Sequence, residues 1–124
     1  MARIPVAQEN TGLDAMFVTS TTYYLALYTT DPGTTGSGGT EVSGGSYARQ
    51  TITFAAASSG SKASSSAQTF TNVPALGSGA PYYGIWTAAS GGTYLGGGTT
   101  NSSTAISAGS TISVASGAIT FSLS

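Results

Sequence analysis

The chain has 124 residues, a length typical of one domain, and only 6% of them are charged where an average protein has about 25%. Its three Lys or Arg residues form no cationic stripe for nucleic acid, and its four acids are too scattered for a catalytic carboxylate pair. Without His or Cys it lacks the commonest general base and metal ligand, thiolate metal sites and disulfides, so we expect no enzyme, no cofactor and no metal.

Residues 1–10 have no clear periodicity, and they predict an extended N-terminal arm. Such an arm is either a loose end or a strap that docks on a neighbouring protein. In the second case the contact residues are Arg3, Ile4, Pro5 and Val6. No apolar run approaches the roughly 18 residues of a membrane span, and residues 1–6 lack the apolar segment of a signal peptide. We therefore expect a soluble protein that is made in a cytoplasm and has no membrane partner.

One short helix is predicted after the arm, over residues 10–18. Asn10 or Thr11 is suited to cap it, and Asp14 follows Thr11 by three residues as in a capping box. The apolar residues that recur at helical spacing are Leu13, Met16 and Phe17.

The rest of the chain predicts short strands separated by Gly, Ser, Thr and Pro. The strand segments are residues 23–29, 49–55, 69–73, 82–88, 93–95, 111–114 and 118–123. Ser90-Gly91-Gly92 is typical of the tight turn of a hairpin. Residues 34–45 predict a Gly-rich loop, and residues 56–67 predict a loop, alone or between weak edge strands.

This pattern predicts an all-β fold. Seven or eight short strands with regular turn signals indicate a single antiparallel β-sandwich or barrel over residues 11–124, of jelly-roll or immunoglobulin-like type. Its loops are rich in Gly, Ser and Thr, and the N-terminal arm and the short helix precede the strands.

Glu41 and Arg49 stand out because the chain has so few charges, and because they flank a short Gly-rich segment. One interpretation is an exposed ion pair, worth well under about 1 kcal/mol. The other is that a planar partner, within the chain or in a neighbouring chain, holds the Arg49 guanidinium. Both remain open, so the two residues are assigned to an ion pair or an interface.

Tyr82, Tyr83 and Trp86 belong to the densest aromatic cluster of the chain, over residues 82–86. Aromatic residues that alternate along a strand are most often core on one face of a sheet. They also serve in subunit interfaces, and exposed rings can stack on sugars. We favour the core, with an interface and then a glycan platform as alternatives.

Three stretches together resemble a known family. They are residues 25–33, residues 41–50 with the sequence Glu-Val-Ser-Gly-Gly-Ser-Tyr-Ala-Arg-Gln, and residues 83–92. They are similar to small virion proteins of tailed phages, common in phages of actinobacteria, that are described as head-decoration-like or tail-fibre-like. The resemblance covers about residues 13–123, and residues 41–50 are its most specific part.

The resemblance implies a structural protein of a bacteriophage virion. Because the chain is short and has no repetitive shaft, we favour a capsid decoration protein that stabilises the head from outside. Its partners would be the major capsid protein and further copies of itself, in a small oligomer such as a trimer. The alternative is a tail-fibre or tail-tip module that binds the host. The expected location is the virion, on the capsid exterior, after synthesis in the host cytoplasm.

Overall fold

A computed structural model describes residues 5–19, 21–100 and 104–122. Its elements are α1 (Val6–Met16), β1 (Tyr23–Tyr28), β2 (Gln50–Ile52), β3 (Ser61–Ala63), β4 (Gln68–Val73), β5 (Tyr82–Trp86), β6 (Tyr94–Thr99), β7 (Ser110–Val114) and β8 (Thr120–Ser122). The predicted all-β class with one short helix is thereby confirmed.

The strands form three sheets. The largest has the order β2-β1-β5-β6, and the two smaller ones pair β3 with β8 and β4 with β7. The β1–β5, β5–β6 and β3–β8 pairs are antiparallel. The four-stranded sheet is open, with β2 and β6 at its edges, which is typical of sandwich folds and not of a closed barrel.

The described residues group into two compact units. One comprises the described parts of the segments Met1–Thr22, Ile52–Gln68 and Val114–Ser124, and the other comprises Tyr23–Thr51 and Thr69–Ser113. Each unit combines segments that are distant in sequence. The single β domain expected over residues 11–124 stays a prediction.

The first unit is built around α1 and the β3–β8 pair, which α1 contacts on both strands. Leu13 on α1 and Phe17 just after it are buried. The Phe17 ring lies 5.1 Å from the Phe54 ring and 4.4 Å from the Phe121 ring, between centroids. Burial of such aromatic groups is the main stabilising contribution here, because each removes a large apolar area from water.

The second unit is centred on the β1–β5 pair. Its register places Leu25 opposite Ile85 and Leu27 opposite Tyr83, and all four side chains are buried. Because side chains alternate between the two faces of a strand, a second set of side chains lies on the opposite face of this pair. That set comprises Tyr24, Ala26 and Tyr28 from β1 and Tyr82, Gly84 and Trp86 from β5.

The helix begins earlier than predicted, so residues 6–10 are helical and not part of an extended arm. Pro5 takes the N-cap position, and its carbonyl accepts hydrogen bonds from the amides three and four residues later, at 2.9 and 3.0 Å. The fixed φ of Pro5 and the negative charge of Glu9 in the first turn both favour this start. The predicted cap does not form, since the Thr11 hydroxyl donates to a carbonyl one turn back. In the described part of the chain, no helix has the length and apolar character needed to cross a membrane.

Two strands also differ from their predicted positions. β3 lies in the middle of residues 56–67, which predicted a loop, alone or between weak edge strands, and β6 extends to Thr99 through three consecutive glycines. A Cβ atom at Gly97 would overlap the carbonyl oxygen of Tyr83 on β5, so close pairing at this point requires glycine. Glycine therefore continues this strand, although its composition is that of a loop.

Candidate functional site

The structure brings Glu41 and Arg49 together in the second unit. Residues on either side of Glu41 bond to the end of β1, with the Val42 amide donating to the Leu27 carbonyl at 2.9 Å. Arg49 immediately precedes β2. Its Nε donates to Glu41 Oε2 at 3.0 Å and its Nη2 donates to Oε1 at 2.9 Å. This two-point contact matches the planar guanidinium to the carboxylate, which a Lys ammonium cannot do.

The remaining contacts of Arg49 reach the turn that follows β5. Its Nη1 donates to the carbonyl oxygens of Ala88 and Gly91, both at 3.0 Å. Its guanidinium carbon lies 4.3 Å from the centroid of the Trp86 ring, a cation–π distance. Arg49 thus joins two segments about 40 residues apart, and its side chain is only 10% exposed. The hydrogen bonds with Glu41 raise the pKa of Arg49, so the guanidinium remains charged.

Tyr47 is the third member of what we call the Arg49 cluster (Glu41, Tyr47, Arg49 and Trp86). Its hydroxyl donates to Glu41 Oε2 at 2.9 Å and accepts from the Leu27 amide at 2.9 Å. Its ring stacks on Phe70 at 5.7 Å between centroids. Burial raises the pKa of Tyr47, so its hydroxyl stays protonated and serves as a donor to the carboxylate. No sequence pattern singled out Tyr47, although it lies between Glu41 and Arg49 in the chain and binds the Glu41 carboxylate.

The three aromatic residues singled out on β5 fall on different faces. Tyr83 is buried with the core side chains, while Tyr82 and Trp86 are half-buried on the opposite face. The Trp86 Nε1 donates to the Tyr28 hydroxyl at 2.9 Å. The expected core role thus fits Tyr83, and a role of Tyr82 and Trp86 in an interface stays a prediction.

Tyr94 on β6 completes this face, although no sequence pattern singled it out. Its ring lies 5.4 Å from Trp86 in an edge-on arrangement, and its hydroxyl donates to the Gly33 carbonyl at 3.2 Å. A Cβ atom at Gly84 would lie 2.8 Å from the Tyr94 ring, so Gly84 provides the space for it. The glycine between aromatics in Tyr-Tyr-Gly-Ile-Trp is the signal that indicates such a close approach.

A second ionic cluster lies in the first unit, around Lys62. This side chain is fully buried, and its Nζ bonds to Asp14 Oδ1 at 2.6 Å and to Thr19 Oγ1 at 2.9 Å. The same Asp14 oxygen accepts the Ala57 amide at 2.9 Å. The hydrogen bond with Lys62 holds the pKa of Asp14 below its usual value. The cluster supports α1 on β3, since a buried ammonium without such partners is strongly unfavourable.

Of the four contact residues predicted for the N-terminal arm, the structure describes Pro5 and Val6, and neither is part of the two clusters. Arg3 and Ile4 lie outside the described residues, Pro5 caps α1, and Val6 is its first residue and is 52% exposed. Within residues 5–19, 21–100 and 104–122, no three acidic, His or Cys side chains are grouped as a metal site would require. The chemistry that the two clusters offer is hydrogen bonding and charge pairing.

A surface cavity of about 410 Å³ lies beside the Arg49 cluster. Its walls come from the segment 41–44, from Tyr47, Ala48 and Arg49, and from the turn residues Ala89, Ser90 and Gly91. The most family-specific stretch of the sequence, residues 41–50, therefore supplies most of its lining residues. The volume is within the range of small-molecule sites, roughly 300–1,000 Å³.

Comparison with known protein families identifies a match over most of the chain. The family model described as "Podophage GP4 fiber I protein gp80" matches residues 8–122. These limits include the Arg49 cluster, the Lys62 cluster and nearly all of the described residues. No curated protein and no solved structure matches the chain.

Proposed function

Because this chain belongs to the Podophage GP4 fiber I protein gp80 family, we propose that it is a fibre component of a podophage virion, with a surface that faces the host. The family match shows that the chain is a structural protein of a bacteriophage virion. The observation that carries both statements is the match over residues 8–122. An actinobacterial host stays a prediction.

The fibre assignment replaces capsid decoration as the favoured function. Decoration was favoured because the chain is short and has no repetitive shaft. Length is a weak argument against a fibre, since a virion fibre can be assembled from several different short chains. The family description names a fibre and supports the alternative prediction of a tail-fibre module. Binding to the major capsid protein and a position on the capsid exterior have no such support.

The composition and the fold suit a virion surface. Seven charges in 124 residues leave a surface of Ser, Thr and Gly, which packs against other copies with little cost of desolvating charges. The four-stranded sheet has β2 and β6 as its edge strands, and symmetric oligomers commonly cover such edges. We therefore propose a homo-oligomer, with a trimer as the specific expectation. The absence of enzymatic activity and of nucleic-acid and membrane partners stays a prediction.

Location and copy number test the fibre assignment most directly. An epitope tag at the C-terminus, detected with gold-labelled antibody on intact virions, should label the tail. Gel densitometry should give far fewer copies than the major capsid protein. Label distributed over the head, with hundreds of copies per particle, would instead establish decoration.

The oligomeric state is tested separately by light scattering on the purified full chain. A trimer has a mass of about 37 kDa, from a chain of 12.2 kDa. A mass that stays at that of one chain over a wide range of protein concentrations would exclude the trimer.

A further inference from the structure

The cavity beside the Arg49 cluster retains hydrogen-bonding capacity that the protein does not use. Arginine offers five N–H donors, and Arg49 directs four of them to Glu41 and to two backbone carbonyls. The fifth, on Nη2, has no partner among the described residues. A carboxylate can accept about four hydrogen bonds, and Glu41 accepts three. The Glu41 side chain is 27% exposed.

Two serine hydroxyls, from two different segments of the cavity wall, add to this capacity. Ser43 lies in the segment that carries Glu41, and Ser90 lies in the turn that Arg49 binds. Both are exposed, and in the part of the chain that the structure describes neither side chain makes a hydrogen bond. The cavity thus presents a donor, an acceptor and two groups that can be either.

This set of groups discriminates between ligand classes. Among the described residues that line the cavity, only Glu41 and Arg49 are charged, and their charges cancel. An anion would contact the exposed carboxylate, and a cation would contact the guanidinium. A hydroxyl group can donate to Glu41 and accept from Arg49 at the same time, without a net charge to desolvate. A neutral ligand rich in hydroxyl groups therefore fits best.

The two charged groups of the cavity wall are held in place by hydrogen bonds within the protein. The Arg49 side chain is nine-tenths buried and has four hydrogen bonds, so its remaining donor is held in a fixed position. Tyr47, which is stacked on Phe70, holds the Glu41 carboxylate in the same way. A site whose groups are already oriented loses little conformational entropy when a ligand binds.

We propose that this cavity binds one unit of a neutral saccharide, with Glu41 and Arg49 sharing its hydroxyl groups. This inference rests on the proposed function, because a fibre that faces the host meets surface glycans. A single unit would bind weakly, with a dissociation constant on the order of millimolar. Several copies on one fibre would raise the overall affinity through multivalency.

The test is a titration of the ¹⁵N-labelled full chain followed by NMR. The probes are neutral methyl glycosides of glucose, galactose, mannose, rhamnose and arabinose, together with N-acetylglucosamine, each added to about 100 mM. Glucuronate and glycerol are the anionic and the non-sugar comparisons. At least one neutral sugar should give saturable shifts confined to the cavity wall, including the Arg49 Nε–H signal.

Two variants place a large side chain in the cavity, each from a different segment of its wall, and neither changes a residue of the Arg49 cluster. Ser43→Trp and Ser90→Trp should each weaken sugar binding at least tenfold, because a large ring takes the place of the ligand. Ser78→Trp is the matched control. It makes the same exchange at an exposed serine outside the cavity wall, and it should bind as the wild type does.

The proposal is overturned if no neutral sugar gives saturable shifts, if only glucuronate does, or if the two cavity variants bind like the control. These results are independent of where the protein lies in the virion. Tail labelling without sugar binding would refute the saccharide site alone. Sugar binding by a protein located on the head would refute the fibre assignment and leave the site in place.

Discussion

Arg49→Lys tests whether the geometry of the guanidinium, rather than its charge, holds the Arg49 cluster together. The exchange keeps the net charge, and one ionic hydrogen bond to Glu41 can be restored. It removes the second ionic hydrogen bond, the bonds to the turn carbonyls and part of the stacking on Trp86. We assign about 1.5 kcal/mol to the ionic hydrogen bond and about 0.5 kcal/mol to each of the three weaker contacts, the two carbonyl bonds and the stacking. The free energy of unfolding should therefore fall by about 3 kcal/mol.

Such a loss is readily measured. For a domain of this size it lowers the melting temperature by about 10 °C. Trp86 is the only tryptophan of the chain and lies in the cluster, so its fluorescence reports unfolding at the relevant place. Urea and thermal unfolding should be followed at one fixed protein concentration, because oligomerisation makes stability depend on concentration.

Two controls separate geometry from charge. Arg3→Lys makes the same exchange at the other arginine of the chain, and the stability difference between the two variants is measured beside that between Arg49→Lys and the wild type. Added salt should not abolish this difference, since both side chains have the same charge and hydrogen-bond geometry is not screened. If Arg49→Lys melts within about 1 °C of the wild type, the cluster does not contribute to stability as argued.

Three further predictions follow from single contacts. Tyr47→Phe should destabilise the chain by about 2 kcal/mol in urea unfolding, because it leaves a buried amide unpaired, whereas Tyr82→Phe should change stability by less than about 0.5 kcal/mol. The pKa of Asp14 is lowered, so its stabilising effect is present above its usual pKa of 3.8 and lost as the pH falls further. The stability difference between wild type and Asp14→Asn should therefore shrink as the pH falls from 6 to 2, and a constant difference would contradict the ion pair. Gly84→Ala should displace the Tyr94 ring, which a changed near-ultraviolet circular dichroism spectrum and a lower melting temperature would reveal.

Local sequence patterns predict the elements of this fold well where one strand face is apolar. β1 and β5 follow from the alternation in residues 23–29 and 82–88, and Leu25 and Ile85 do face the core. β6 is harder to predict, because glycine has a low strand propensity. Gly97 is required in this strand only by its close approach to the Tyr83 backbone on β5. α1 begins at Val6 because the Pro5 carbonyl accepts the first hydrogen bonds, and no side-chain cap marks that start.

The sequence by itself determined the all-β class and the virion family, and it singled out Glu41 and Arg49 as candidate partners. Composition and alternation depend only on neighbouring residues, so they are visible along the chain. The tertiary structure decided which groups those residues meet. Arg49 binds backbone carbonyls 39 and 42 positions away, and backbone atoms leave no signature in the sequence. Lys62 likewise depends on Asp14, 48 positions away, which only the folded chain brings within hydrogen-bond distance.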